Sequence, residues 1–142
     1  MEGMDQYESH PARDVSLASM RAVEAGDREA WLALFTDDAH VEDPIGPSMF
    51  DERGEGHRGR DAIAAFYDTV VSMGQISFAI RESYACGDEC ANVGRITTTF
   101  PDGSQAVVDG VYTYRTDGAG KVKALRAYWE SANVAFVPAP SA

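Results

Sequence analysis

Basic residues are scarce in this chain. Twelve Lys and Arg stand against 23 Asp and Glu, a formal net charge of −11 over 142 residues. Nucleic acids and anionic membrane surfaces bind through basic patches that release counterions, so neither is expected as a partner. A small neutral or apolar ligand suits this balance better. Long hydrophobic runs are also missing, and nothing approaches the ~20 apolar residues that cross a bilayer. The stretch Met1 to Asp14 is polar and acidic, not a basic leader ahead of an apolar core. No signal peptide is therefore expected, and the cytoplasm is the expected compartment. Cysteine is sparse too: Cys86 and Cys90 flank Gly87-Asp88-Glu89. They could meet across a hairpin, but free thiols are expected in a chain without an export signal. The three histidines lie at unrelated spacings, so no metal site is expected.

What is present is ordinary globular composition, 44% hydrophobic and 25% charged, at single-domain length. A chain of this size buries roughly 70% of its extended surface and needs no staples. Residues 1–14 and 137–142 read as flexible tails around a domain at 15–136. Leu17, Met20 and Val23 recur at helical spacing, which predicts a helix from Val15 to Ala25, capped by Asp14 and stopped by Gly26. Asp27 caps a short second helix, Arg28 to Phe35, and Thr36-Asp37-Asp38 reads as a turn. The apolar stripe Ile63, Phe66-Tyr67, Val70, Met73 predicts a third helix from Arg60 to Met73. Strands are predicted over 75–85, 90–100, 104–115 and 121–136, separated by Gly87-Asp88, Pro101-Asp102-Gly103 and Asp117-Gly118-Ala119-Gly120. Helices followed by a run of strands make an α+β fold: a cone-shaped curved antiparallel sheet with three helices on its concave face. Such a cone leaves an apolar pocket, and the long loop at 46–59 places Pro47, Met49 and Phe50 to fold over its mouth.

The most informative stretch is Ala39-His40-Val41-Glu42-Asp43-Pro44-Ile45-Gly46. Read as a strand, it puts Asp43 in the apolar row with Ala39, Val41 and Ile45, while His40 and Glu42 look outward. Two readings are open. Asp before Pro often opens a turn. A carboxylate on a core-facing row is costly unless it is bonded, paired or used, and desolvation makes it a better base.

Four stretches together resemble the ketosteroid isomerase and SnoaL-like families of the nuclear-transport-factor-2-like (cystatin-like) superfamily. They are Ala25-Gly26-Asp27; Phe35 to Ala39 with Glu42-Asp43-Pro44-Ile45-Gly46; His57-Arg58-Gly59-Arg60 through Ala62-Ile63 to Phe66-Tyr67; and Ala127-Tyr128-Trp129. The resemblance covers roughly residues 15–136. It implies a homodimer joined through the outer sheet face and a steroid-like ligand. It also implies cofactor-free proton transfer next to a carbonyl, with Asp43 as the base; that scheme is the family's own.

Departures accompany the match. Spacing from Gly26 puts Ser19 where the family carries its oxyanion tyrosine. Counting back from Trp129 puts Tyr112 where it carries a protonated Asp, with Asp109 on the opposite face. Phe35 replaces a supporting tyrosine, whereas Tyr67 matches one that is kept. Tyr112, a donor as well as an acceptor, is then the candidate oxyanion donor beside Asp43. Phe66, Tyr67, Tyr114, Trp129, Phe35 and Ser19 are the candidate substrate-binding residues, and Gly110 is expected to leave room for a flat ligand. Arg95 either faces the cavity, where it would pair with Asp43, or lies on an edge or dimer face. Two further readings stand beside the isomerase: a non-catalytic steroid binder, and a SnoaL-like polyketide cyclase or epoxide hydrolase. Epoxide hydrolases of this kind use an Asp-Arg-Asp set, and Thr97 stands where the second Asp would follow Arg95.

Overall fold

The computed structural model describes residues 4–141. Three helices, α1 (Pro11–Ala25), α2 (Arg28–Leu32) and α3 (Arg60–Thr69), pack on one curved sheet. The strands are β1 (Phe35–Glu42), β2 (His57–Arg58), β3 (Gln75–Cys86), β4 (Glu89–Thr99), β5 (Gln105–Thr116), β6 (Val122–Tyr128) and β7 (Ala135–Val137). Their order is β2-β1-β6-β5-β4-β3, with β7 paired to β5. Every pairing is antiparallel except β1 with β6, which runs parallel. No helix among the described residues is long and apolar enough to cross a membrane.

α1 begins four residues before its expected start. His10 caps it through Nδ1, which accepts from the Ala12 N–H at 3.1 Å, and Pro11 takes a first-turn position that needs no N–H. Asp14, the expected cap, instead accepts from the Ser9 hydroxyl. Gly26 closes the helix as anticipated, at φ 67° in the left-handed region. The segment before α1 is packed: Met4 is buried against Met20 and Ile80, and Arg13 lies 5.0 Å over the Tyr7 ring. Residues 1–3 and 142 of the expected tails lie outside the described residues.

α3 ends at Thr69, and a 3-10 turn follows at Val71–Met73. The β-branched pair Val70-Val71 is stiff at χ1 and holds a helix poorly. β1 starts at Phe35, so Thr36-Asp37-Asp38 lies within the strand, at an irregularity in its pairing with β6 between Phe35 and His40. The single strand expected over 121–136 is two. β6 leaves β5 at Tyr128, opposite Val111, and β7 rejoins it at Ala135, opposite Val107. Cys90 pairs with Ala85 and Cys86 with Glu89, so the two free thiols project from opposite faces, one buried and one exposed.

The core lies between α1, α2, α3 and the inner sheet face, around Trp31, Phe35, Val41, Ile63, Tyr112 and Leu125. A polar knot sits where α1 crosses β3 and β4. Asn92 donates to the Ser16 hydroxyl at 3.0 Å, Cys90 donates to Asn92, and Arg13 donates to Ser83. Asn92 and Ser16 are fully buried, and these bonds satisfy polar groups that would otherwise be costly there.

Candidate functional site

The sheet and helices enclose a cavity of about 210 Å³. Its walls are apolar almost throughout; the polar side-chain atoms on them belong to Asp43, Ser19, Thr98, two tyrosines and two tryptophans. Asp43 is the one charged residue among them. It lies one residue past the end of β1 and continues the inward row of Ala39 and Val41. Its carboxylate accepts from the Trp129 indole N–H at 2.6 Å. No backbone N–H of the turn after Pro44 donates to it, so the turn-cap reading gives way. Protein atoms surround it, and its remaining exposed surface opens to the cavity. Burial therefore pushes its pKa up, against the lowering effects of the Trp129 bond and of His57. A carboxylate with one oxygen held and the other free in an apolar pocket has the features of a general base.

Tyr112 stands on β5, opposite Ala127 of β6. Its hydroxyl is buried and has no hydrogen-bond partner among the described residues. Burial and the nearby Asp43 charge push its pKa up strongly, which keeps the phenol protonated and able to donate. Two residues on, the Tyr114 hydroxyl donates to Ser19 at 3.3 Å, and the Trp31 indole N–H reaches the same Ser19 oxygen at 3.1 Å. Each of these residues lines the cavity. The mouth carries Met49 and Phe50 of the 46–59 loop, with Phe50 edge-on to Trp129 at 6.5 Å. Asp51 holds that loop in shape by accepting from the Gly54, Glu55 and Gly56 N–H groups at 3.1, 3.3 and 2.8 Å.

A sequence profile described as a SnoaL-like domain matches residues 17–125. The chain belongs to the SnoaL-like family. A steroid Delta-isomerase of Nocardioides simplex is 30% identical over 118 residues, spanning 83% of this chain and 89% of that one. The crystal structure of the Delta 5-3-ketosteroid isomerase from Mycobacterium sp. matches at a TM-score of 0.87 and 41% identity, covering 91% of this chain and 100% of that one. A Mycobacterium tuberculosis protein solved in complex with estradiol-17beta-hemisuccinate matches at 0.85 and 37% identity, covering 90% and 100%.

Within this SnoaL-like cavity the structure gathers Asp43, Tyr112, Phe66, Tyr114, Trp129 and Ser19, all residues that the sequence singled out. Phe35 and Tyr67 are corrections. Trp31 takes the lining position, and the two rings pack on it at 4.6 and 5.5 Å, away from the cavity surface. Gly110 is a second correction. A Cβ there would come within 2.6 Å of the Tyr128 carbonyl oxygen and 3.1 Å of Trp129 Cβ. The Tyr112 hydroxyl lies 3.2 Å from the same point, so the glycine makes room for the chain that carries Trp129 and for that hydroxyl. Arg95 lies on the outer face and pairs with Asp109 at 3.0 Å. His57, expected on the surface, is half-buried and sits 4.7 Å from the Phe66 ring. Glu42 does face away from the cavity, yet it is buried beneath Arg126 at 3.1 Å and His40 at 3.2 Å.

Sequence reasoning missed several wall residues. Ile76, Phe78, Ile96 and Thr98 alternate along β3 and β4, and that period was the signal that marks them as inward. Val134 and Phe136 were hidden by the break between β6 and β7.

Proposed function

We propose that this protein catalyses cofactor-free proton transfer next to the carbonyl of a ketosteroid-like substrate. Asp43 removes the proton and returns it further along the conjugated system, and Tyr112 donates to the oxygen that gains negative charge. The observation that carries this reading is one pair of groups in one apolar cavity: the free oxygen of a desolvated Asp43 and the unpartnered hydroxyl of Tyr112. Enolisation needs a base of raised pKa and a donor aimed at the oxyanion, and no more than these. Trp129 orients the base through its 2.6 Å bond. Phe66 and Tyr114 contribute flat surface for a polycyclic ligand. The kinship with steroid isomerases supports the reaction class.

Two observations favour a second reading, a steroid binder without turnover. By the family resemblance Ser19 stands where the first helix of the isomerases carries a tyrosine, and the M. tuberculosis relative was solved with estradiol-17beta-hemisuccinate. The test is ultraviolet absorbance after adding the protein to a β,γ-unsaturated 3-ketosteroid, whose conjugated product absorbs. A rise that Asp43→Asn abolishes supports the isomerase. Steroid binding with no rise supports the binder. In this reading the protein is a cytoplasmic homodimer joined through the outer sheet face, and light scattering that finds only monomer at micromolar concentration contradicts the dimer.

A further inference from the structure

The reading above supplies one oxyanion donor, Tyr112. Counting protons at the neighbouring hydroxyl pair supplies another. Ser19 and Tyr114 carry two hydroxyl protons, and one is used in the 3.3 Å bond between them. The Trp31 indole can only donate, and it occupies a second acceptor position on Ser19 Oγ at 3.1 Å. A phenol is the more acidic partner, so Tyr114 donates and Ser19 accepts. Ser19 then holds two incoming bonds and one proton of its own. Buried helical serines commonly spend that proton on a carbonyl of the preceding turn, as Ser16 does here with Arg13 at 2.7 Å. Ser19 makes no such bond among the described residues, although it is about 1% exposed and lines the cavity. A buried donor without an acceptor is costly unless a ligand completes it.

We propose that Ser19, held by Tyr114 and Trp31, is the second hydrogen-bond donor to the substrate carbonyl and does the work of the tyrosine that this helix lacks. The proposal rests on the ligand class given above. Two incoming bonds polarise the serine O–H and strengthen its outgoing bond. Tyr112 and Tyr114 sit two residues apart on the same face of β5, and both residues line the cavity. The oxygen of a bound ketone would then meet Tyr112 from one side and Ser19 from the other. The Tyr114 and Trp31 roles are positioning ones, exerted through Ser19.

The experiment compares testosterone with 3-deoxytestosterone, the same skeleton with a methylene in place of the ring carbonyl. Affinities are measured by calorimetry, and the carbonyl stretch of bound testosterone by infrared spectroscopy. Wild type is expected to prefer the ketone. Ser19→Ala should weaken testosterone roughly fivefold, a typical loss for one neutral hydrogen bond, while leaving 3-deoxytestosterone unchanged. It should also move the carbonyl stretch to higher frequency. Tyr114→Phe, which keeps the serine proton but removes one bond into it, should move the stretch in the same direction by less. If Ser19→Ala does not fold, the pair Ser19→Ala with Trp31→Phe removes donor and acceptor together and takes its place. Equal weakening of both steroids, or an unmoved carbonyl stretch, overturns the proposal and leaves Ser19 as packing. A wild type that binds both steroids equally overturns the donor assignment but keeps steroid binding. A wild type that binds neither overturns the ligand class, and this assignment with it.

Discussion

Asp43 and Asp109 are two carboxylates of one sheet in opposite surroundings. Asp109 lies on the outer face of β5, half exposed, with Arg95 at 3.0 Å and Arg81 at 3.7 Å. The hydrogen bond from Arg95 holds its pKa below the usual aspartate range. Asp43 has no arginine partner among the described residues, one indole donor and a pocket of apolar walls, and its pKa is raised. Asp109 lies three positions before Tyr112, and an odd interval along a strand changes faces. The polar pairing that lowers one pKa therefore stays outside, while burial raises the other. What differs is not the side chain but the number of partners each neighbourhood supplies.

Exchanging these environments is the sharpest way to break the comparison. Asp43→Asn should lower turnover of a β,γ-unsaturated ketosteroid on the order of a thousandfold, the usual worth of a positioned base, with ligand affinity retained. Asp109→Asn should leave turnover unchanged. A similar loss in both, measured by absorbance, would dissolve the distinction.

Tyr112→Phe comes next, with a loss on the order of a hundredfold in turnover, as for other single oxyanion donors. Its thermal stability should hold or rise, because the variant removes a buried hydroxyl that the folded chain leaves unpaired. Calorimetric melting beside the rate assay separates these two effects.

Protonation sharpens the contrast further. The Asp43 carboxyl binds its proton more tightly in the folded chain than in the unfolded one, where the ordinary value is 3.8. Between those two values the folded state holds the extra proton, so the Asp43 contribution to stability falls as pH rises. Asp109 has the opposite sign: its contribution is present above 3.8 and is lost as pH falls through its lowered value. Asp43→Asn should thus be more stable than wild type at neutral pH, with the gap closing below the ordinary aspartate value. Urea titration across pH reads this. The acid limb of kcat/KM should likewise lie above the ordinary aspartate value, and Trp129→Phe should push it higher by removing the bond that lowers the pKa.

The smallest effect belongs to the outer pair. Arg95→Ala should cost under about 1 kcal/mol of stability, since both partners are more than a third exposed and water screens them. Denaturant midpoints at low and high salt check it.

The sequence carried the inner face more fully than the outer one. Asp43, Tyr112 and Trp129 were legible because alternation fixed the row each occupies on its strand and the family resemblance turned those rows toward the cavity. Arg95 and Asp109 fall on opposing strands, and their pairing depends on a register that no single strand encodes. Phe35 and Tyr67 were misplaced for a related reason. Their pattern marks them as buried but does not say which buried ring meets the cavity; Trp31 does, and both rings pack on it. The split of β6 from β7 was missed because Val134, Ala135 and Phe136 read as a continuation of the strand, although Glu130-Ser131-Ala132-Asn133 breaks the apolar alternation. His10 as a helix cap escaped notice because the more usual cap, Asp14, lay nearby.

That split has a further consequence. Residues 129–134 leave the ladder between Tyr128 and Ala135, and β5 finds its next partner only at Val107. The excursion brings Trp129 and Val134 to the cavity without contributing a rung to the sheet. Trp129 at its start is tied to Asp43, so the part free of the ladder and of that bond is 130–134. Substitutions there meet the cavity through Val134 without removing a rung of the sheet. That part is a natural place to graft diversity when new ligands are sought for this framework.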